Sequence, residues 1–80
     1  MNVSAEISLY PLNEAFRASI NAFLAQLTAR EGITVHVGSM STVVVGEYET
    51  VMQVLTDECR PVFEQGAAVF VVKLANACPA

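Results

Sequence analysis

Hydrophobic and polar residues alternate from Val3 to Leu9, so that every second side chain is apolar. This period-two pattern predicts a strand with one face on a core and the other toward solvent. Pro11 should end the strand, because proline has no N–H to donate to a sheet. Alternation or short apolar runs predict three more strands, at residues 33–37, 42–45 and 67–74.

Two other segments repeat their apolar residues at spacings of three and four, which predicts amphipathic helices. The first spans residues 16–27, with Asn13 as the expected N-cap and Gly32 in the expected left-handed position after the helix. The second carries its apolar stripe at residues 51–63 and contains Pro61. This proline should loosen the last turn, because it removes one helical hydrogen bond.

The order strand, helix, strand, strand, helix, strand predicts a single α+β domain over residues 1–80. With right-handed crossovers, this order leads to the ferredoxin-like βαββαβ fold. That fold has a four-stranded antiparallel sheet, here expected in the order 4-1-3-2, with two helices on one face. The other face of the sheet should therefore be uncovered.

The uncovered face should be unusually apolar. Hydrophobic residues make up 54% of the chain and charged residues 15%, against roughly 45–50% and 25% in ordinary domains. Val69 and Val71 are expected on this face, together with either Val43 and Val45 or Thr42 and Val44. Glu6 and Lys73 should form a pair on the same face. A ligand or a second copy should cover the face, which predicts a homodimer or homotetramer. Scattered exposed valines are the ordinary alternative.

Charge and composition exclude several classes of function. The net charge is −4 and the basic residues stand apart, unlike the clustered Lys and Arg of a nucleic-acid-binding surface. The first six residues lack a signal-peptide pattern, and the longest apolar run is six residues, too short to span a membrane. A soluble, cytoplasmic protein is expected. Cys59 should be a buried core thiol, and Cys78 a more accessible one.

Candidate catalytic residues are sparse. His36 is the only histidine and has no second ligand at metal-binding spacing, and no hydrolase or phosphate-binding motif occurs. We therefore expect no metal, no cofactor and no enzymatic activity. The polar segment 39–42 should lie beside Tyr10 at the end of the first strand, where hydroxyls and an aromatic ring suit a flat heterocycle. An ordinary polar turn is the alternative.

Three segments resemble the YkoF-like thiamine/hydroxymethylpyrimidine-binding family: residues 7–12 (ISLYPL), 41–46 (STVVVG) and 76–79 (NACP). The helix that ends before Gly66 is similar to the same family, so the resemblance extends over nearly the whole chain. It implies a ferredoxin-like fold and a cytoplasmic carrier or sensor that binds thiamine or its hydroxymethylpyrimidine moiety without catalysis. It also implies a single domain that self-associates.

The ligand environment of that family maps onto Tyr10, Ser41 and Thr42, with Ser8 and Asn76 as further candidates. The resemblance thus implies an aromatic ring beside two hydroxyls, with the Asn76 amide approaching from the fourth strand. Hydroxyl and amide groups can match the donors and acceptors of an aminopyrimidine. The competing hypothesis is a ligand-free structural or interaction module that self-associates through its sheet.

Overall fold

Four strands and two helices follow one another in the order that the hydrophobic pattern predicts. The computed structural model describes residues 1–77, so Cys78 lies outside the described residues. The elements are β1 (Asn2–Pro11), α1 (Phe16–Ala29), β2 (Ile33–Val37), β3 (Thr42–Glu47), α2 (Tyr48–Gln65) and β4 (Ala68–Ala75).

The strands form one antiparallel sheet in the spatial order β2-β3-β1-β4. β1 and β3 lie at its centre, and β2 and β4 are its edges. The predicted order 4-1-3-2 is confirmed. With both helices packed on one face, the architecture is the ferredoxin-like α+β fold.

The core lies between the two helices and one face of the sheet. Val3, Ala5 and Ile7 of β1 are buried there, because alternate residues of a strand point to the same face. The helices cover them with Phe23, Leu27, Val51 and Val54. Burying one such large side chain contributes about 1.5–3 kcal/mol, so this cluster decides which face of β1 the helices cover.

The even-numbered residues of β1 lie on the uncovered face, which we call the open face. Glu6 lies opposite Val43 of β3 and opposite Lys73 of β4, so the three residues form a row across the sheet. Val43 and Val45 are therefore the β3 residues of this face, whereas Thr42 faces the helices. The expected Glu6–Lys73 pair is confirmed, with 3.7 Å between Oε1 and Nζ.

The ends of the helices differ in detail from those expected. Ala15 occupies the N-cap of α1 without a side-chain hydrogen bond, so Asn13 does not cap this helix. Gly32 has a φ of 84°, the left-handed conformation that glycine adopts readily. α2 continues past Pro61. Cys59, expected in the core, is only half-buried, because α2 turns this position toward the margin of its apolar stripe.

Arg30 joins the two helices at one end of the molecule. Its Nη1 atom lies 2.9 Å from Asp57 Oδ2 and 2.9 Å from Glu58 Oε2. The hydrogen bond from Arg30 lowers the pKa of Asp57, and the same bond raises the pKa of Arg30. Gln53 Nε2 also donates to the Asp57 carboxylate, at 2.8 Å. The end of α1 is therefore attached to α2 by polar groups as well as by the core.

Candidate functional site

The sheet has a gap beside the last residues of β1, which we call the notch. β1 has 10 residues, but β3 pairs with it only as far as the Ile7–Thr42 pair. β4 continues to pair with β1 as far as Pro11. The notch arises because the chain turns here between β2 and β3, where the Gly38 N–H donates to the Ser41 carbonyl at 2.9 Å. Residues 8–11 of β1 therefore have a neighbouring strand on one side only.

A cavity of about 150 Å³ lies at the notch, between α1 and the turn that joins β2 to β3. We call it the notch cavity. Its polar rim is residues 38–42, which leave β2 and enter β3. Its apolar wall is formed by Ile7, Leu9, Ile20, Phe23 and Leu24. A cavity with an apolar wall and polar groups on one side is typical of small-molecule sites.

Three of the five residues predicted to contact a ligand border this cavity: Ser8, Ser41 and Thr42. Thr42 is only 6% exposed and lies on the helix side of the sheet, opposite Ile7. Its hydroxyl is thus on the same side of the sheet as the cavity. The alternation along the strands directs the side chains of Ser8 and Ser41 to the open face instead.

Ser41 takes part in a polar contact on the open face. Its Oγ donates a hydrogen bond to Glu6 Oε2 at 3.1 Å. The other carboxylate oxygen of Glu6 lies 3.7 Å from Lys73 Nζ, and the side chains of Glu6 and Lys73 are 45% and 80% exposed. Such an exposed ion pair contributes little to stability, so the Glu6 carboxylate, held beside Ser41, remains available to a ligand at the rim.

Tyr10 also lies on the open face, opposite Val69 of β4, and is 54% exposed. It shares this face with Ser41 but not with Thr42, which points toward the helices. The expected group of one ring beside two hydroxyls is therefore only partly formed. Tyr10 lies outside the notch cavity and could contact only a ligand that extends out of it.

Asn76 lies at the opposite end of the sheet. Ala75 pairs with Ser4, so Asn76 comes next to Val3, seven positions along β1 from Tyr10. That separation is about 20 Å at the usual rise of a strand. Asn76 borders a different, shallow cavity of about 310 Å³. The expectation that Asn76 approaches Tyr10 and Ser41 from the fourth strand is wrong.

Several residues at the notch were not predicted from the sequence as site residues. Phe23 and Leu24 belong to an apolar stripe that the sequence assigns to the core, and they do contact it, but they also form part of the cavity wall. From the sequence, Glu6 was predicted only to lie on the open face and to pair there with Lys73. Glu6 stands two residues before Ser8, on the same face of the strand, and this was the one available signal that it would lie near the candidate hydroxyls.

Other parts of the described chain offer weaker candidates. A cavity of about 290 Å³ lies between α1 and α2, and none of the five residues predicted to contact a ligand lines it. Within residues 1–77, no three His, Cys, Asp or Glu side chains come together as metal ligands would. In the same residues, neither helix is long and apolar enough to cross a membrane.

Comparison with known proteins identifies the family. The family model for thiamine-binding protein matches residues 5–75, from β1 to the end of β4. The chain belongs to the thiamine-binding protein family. The matched residues include every residue of the notch cavity. A comparison with curated proteins finds no match.

Solved structures share the fold of this family member. Protein SP2199 from Streptococcus pneumoniae is 24% identical, with a TM-score of 0.87 over 94% of this chain and 86% of that one. TM0486 from Thermotoga maritima, provisionally described as a thiamine biosynthesis/salvage protein, is 21% identical. Its TM-score is 0.82 over 92% of this chain and 82% of that one. The domain of unknown function DUF77 from Bacillus cereus is 18% identical, with a TM-score of 0.78 over 94% of this chain and 75% of that one. At these identities the similarity shows the fold alone.

Proposed function

We propose that this protein binds thiamine or its hydroxymethylpyrimidine moiety, and that the pyrimidine ring occupies the notch cavity. The observation that carries the proposal is a cavity with an apolar wall and a hydroxyl-bearing rim in a member of the thiamine-binding family. Three of the residues that the family resemblance suggests as ligand contacts, Ser8, Ser41 and Thr42, border this cavity.

The size of the cavity favours one ring over a whole vitamin. Drug-sized ligands occupy pockets of about 300–1,000 Å³, whereas the notch cavity measures about 150 Å³. An engineered apolar cavity of about 150 Å³ in another protein binds benzene. We therefore assign the pyrimidine ring to the cavity and place the thiazolium ring of thiamine outside it, over the rim.

The residues at the rim suit both parts of thiamine. Thr42 offers a hydroxyl on the cavity side, and the wall residues Leu9 and Phe23 offer apolar contact to the faces of the ring. A cationic thiazolium outside the cavity would lie near the carboxylate of Glu6 and the exposed ring of Tyr10, which favour positive charge. The net charge of −4 acts in the same direction.

Binding without catalysis is the function that these groups support best. His36 is exposed on the edge strand β2, away from the cavity wall. Glu6 lies on the open face and is not among the residues that line the cavity. We therefore propose a cytoplasmic carrier or sensor that holds its ligand unchanged.

Isothermal titration calorimetry and thermal shift test the proposal directly. Thiamine, hydroxymethylpyrimidine and an unrelated heterocycle of similar size are titrated into the protein. A ligand at one hundred times its dissociation constant should stabilise the fold by about 2.7 kcal/mol. Binding of both thiamine compounds but not of the third supports the proposal. If neither thiamine compound binds at millimolar concentration, the protein has another function.

A second candidate function is that of an interaction module without a ligand. The edge strand β4 leaves apolar side chains exposed on both of its faces: Val69 at 46%, Val71 at 47%, Val72 at 40% and Leu74 at 44%. An exposed apolar edge strand is a surface on which other chains can pair. We propose that a second copy covers this surface, as a homodimer or homotetramer, whether or not a ligand is bound.

A further inference from the structure

Two backbone hydrogen bonds define the direction of the peptide groups along β1. The Tyr48 N–H donates to the Met1 carbonyl at 2.9 Å, and the Leu12 N–H donates to the Ala67 carbonyl at 2.9 Å. Both bonds continue the registers of β1 with β3 and with β4. In an antiparallel strand, the N–H and C=O of one residue point to the same side, and successive residues alternate sides. Odd-numbered residues of β1 therefore direct their peptide groups toward β3, and even-numbered residues toward β4.

Leu9 is the first odd-numbered residue of β1 beyond the Ile7–Thr42 pair. Its partner in a continued register would be Met40, which lies in the turn between β2 and β3 and is 90% exposed. Within residues 1–77, no backbone hydrogen bond joins Leu9 to that turn. The N–H and C=O of Leu9 therefore point into the notch, where Leu9 borders the cavity. Pro11, the next residue on this side, has no N–H to offer.

We propose that the main-chain N–H and C=O of Leu9 bind the edge of an aminopyrimidine ring in the notch cavity, a role that rests on the proposed function. A 4-aminopyrimidine carries a ring nitrogen that accepts a hydrogen bond next to an amino group that donates one. Leu9 presents the complementary pair, with the N–H donating to the ring nitrogen and the C=O accepting from the amino group. The ring thus takes the place of the missing strand.

The directions of the nearby side chains support a main-chain role. Ser8 and Ser41 direct their hydroxyls to the open face, which leaves Thr42 as the hydroxyl-bearing residue of β3 on the cavity side. Ser39 of the turn also borders the cavity, but separate hydroxyls are not held side by side as the N–H and C=O of one strand residue are. The N–H and C=O of Leu9 have no neighbouring strand on this side, and a ligand that pairs with both would complete the backbone hydrogen bonding of β1. The expected ligand class is heterocycles with an amino group next to a ring nitrogen.

Amide hydrogen exchange measured by NMR tests the proposal on the wild-type chain. In the free protein, the Leu9 amide should exchange at least tenfold faster than the amide of Ile7, which pairs with Thr42. With saturating hydroxymethylpyrimidine, exchange at Leu9 should slow by about tenfold or more. Its amide resonance should also shift more than that of Ser8, which pairs with β4. A Leu9 amide that is slow in the free protein, or unchanged by a bound ligand, overturns the proposal.

Calorimetry on two variants provides an independent test. Leu9→Pro removes the N–H from a position where no neighbouring strand uses it, and Leu9→Ala removes the side chain but keeps the N–H. Leu9→Pro should bind hydroxymethylpyrimidine about three- to tenfold more weakly than Leu9→Ala, as expected for one lost hydrogen bond. A hydroxymethylpyrimidine analogue without the amino group should bind wild type more weakly by a similar factor.

The outcomes separate the two proposals. If wild type binds neither thiamine nor hydroxymethylpyrimidine, the proposed function fails and the role of Leu9 fails with it. A second outcome is that wild type binds hydroxymethylpyrimidine, that Leu9→Pro and Leu9→Ala bind it equally well, and that the analogue without the amino group binds wild type as tightly. In that case the proposed function stands and the proposed role of Leu9 is wrong. If Leu9→Pro does not fold, the exchange and shift of the wild-type Leu9 amide decide the question.

Discussion

Ser41 donates a hydrogen bond to Glu6 over 3.1 Å, which joins the start of β3 to the open face at the centre of β1. Ser41 also borders the notch cavity, so this contact places a carboxylate beside the rim. The chemistry of the cavity and that of the open face are therefore adjacent. A ligand with one neutral and one cationic part can contact both.

Replacement of Glu6 should weaken the binding of thiamine but not that of hydroxymethylpyrimidine. Glu6→Gln should weaken thiamine binding about two- to fivefold, since exposed charge pairs contribute roughly 0.2–1 kcal/mol. Binding of neutral hydroxymethylpyrimidine should stay unchanged. Calorimetry at low and high salt measures this, because salt screens the charge interaction. Glu31→Gln, on an exposed residue after α1, is the control. Equal losses for both compounds would show that Glu6 does not act through its charge.

Removal of the Thr42 hydroxyl should weaken the binding of both thiamine and hydroxymethylpyrimidine. Thr42→Val keeps the shape of this nearly buried side chain, and loss of one hydrogen bond costs about 0.5–1.5 kcal/mol. Thiamine and hydroxymethylpyrimidine should therefore bind up to about tenfold more weakly by calorimetry. Thr34→Val, on the open face of β2, is the matched control. If Thr42→Val binds as wild type does while melting at the same temperature, the hydroxyl does not contact the ligand.

Self-association should depend on the apolar surface of β4. Light scattering of wild type at micromolar concentration should give the mass of a dimer or tetramer, because exposed valines on this strand favour a covering partner. Val71→Lys places a charge on the open face and should give a monomer. Asn21→Lys adds the same charge on the exposed surface of α1 and should leave the mass unchanged. A monomeric wild type would show that β4 stays uncovered in solution.

Acid should destabilise the contact between the helices. The hydrogen bond from Arg30 lowers the pKa of Asp57 in the folded chain, so the ionised carboxylate favours folding above the ordinary aspartate pKa of about 3.9. This contribution to the free energy of unfolding is lost as the pH falls through the lowered pKa of Asp57 in the folded chain.

The measurement is the melting temperature between pH 5 and pH 2. Its fall with decreasing pH should be smaller in Arg30→Gln than in wild type, because the variant lacks the largest cause of the lowered Asp57 pKa. Arg17→Gln, on the exposed start of α1, should follow wild type. Identical pH profiles for Arg30→Gln and wild type would contradict the assignment.

Local patterns in the sequence were sufficient to predict the architecture. The alternation from Val3 to Leu9 assigns the two faces of β1, because a buried apolar row and a polar row cannot exchange without exposing the core. The two helical stripes and the order of the elements then lead to the strand order. The same alternation places Glu6 and Lys73 on one face, where they pair.

The site depended on tertiary structure, because it is defined by where strands stop pairing. Residues 42–45 are apolar on both faces, so only the pairing of Thr42 with Ile7 decides which of them faces the cavity. The same registers separate Asn76 from Tyr10 and leave the peptide groups of Leu9 beside the notch. Backbone hydrogen bonding is nearly independent of side-chain identity, so no residue pattern along the chain records which N–H and C=O groups remain unpaired.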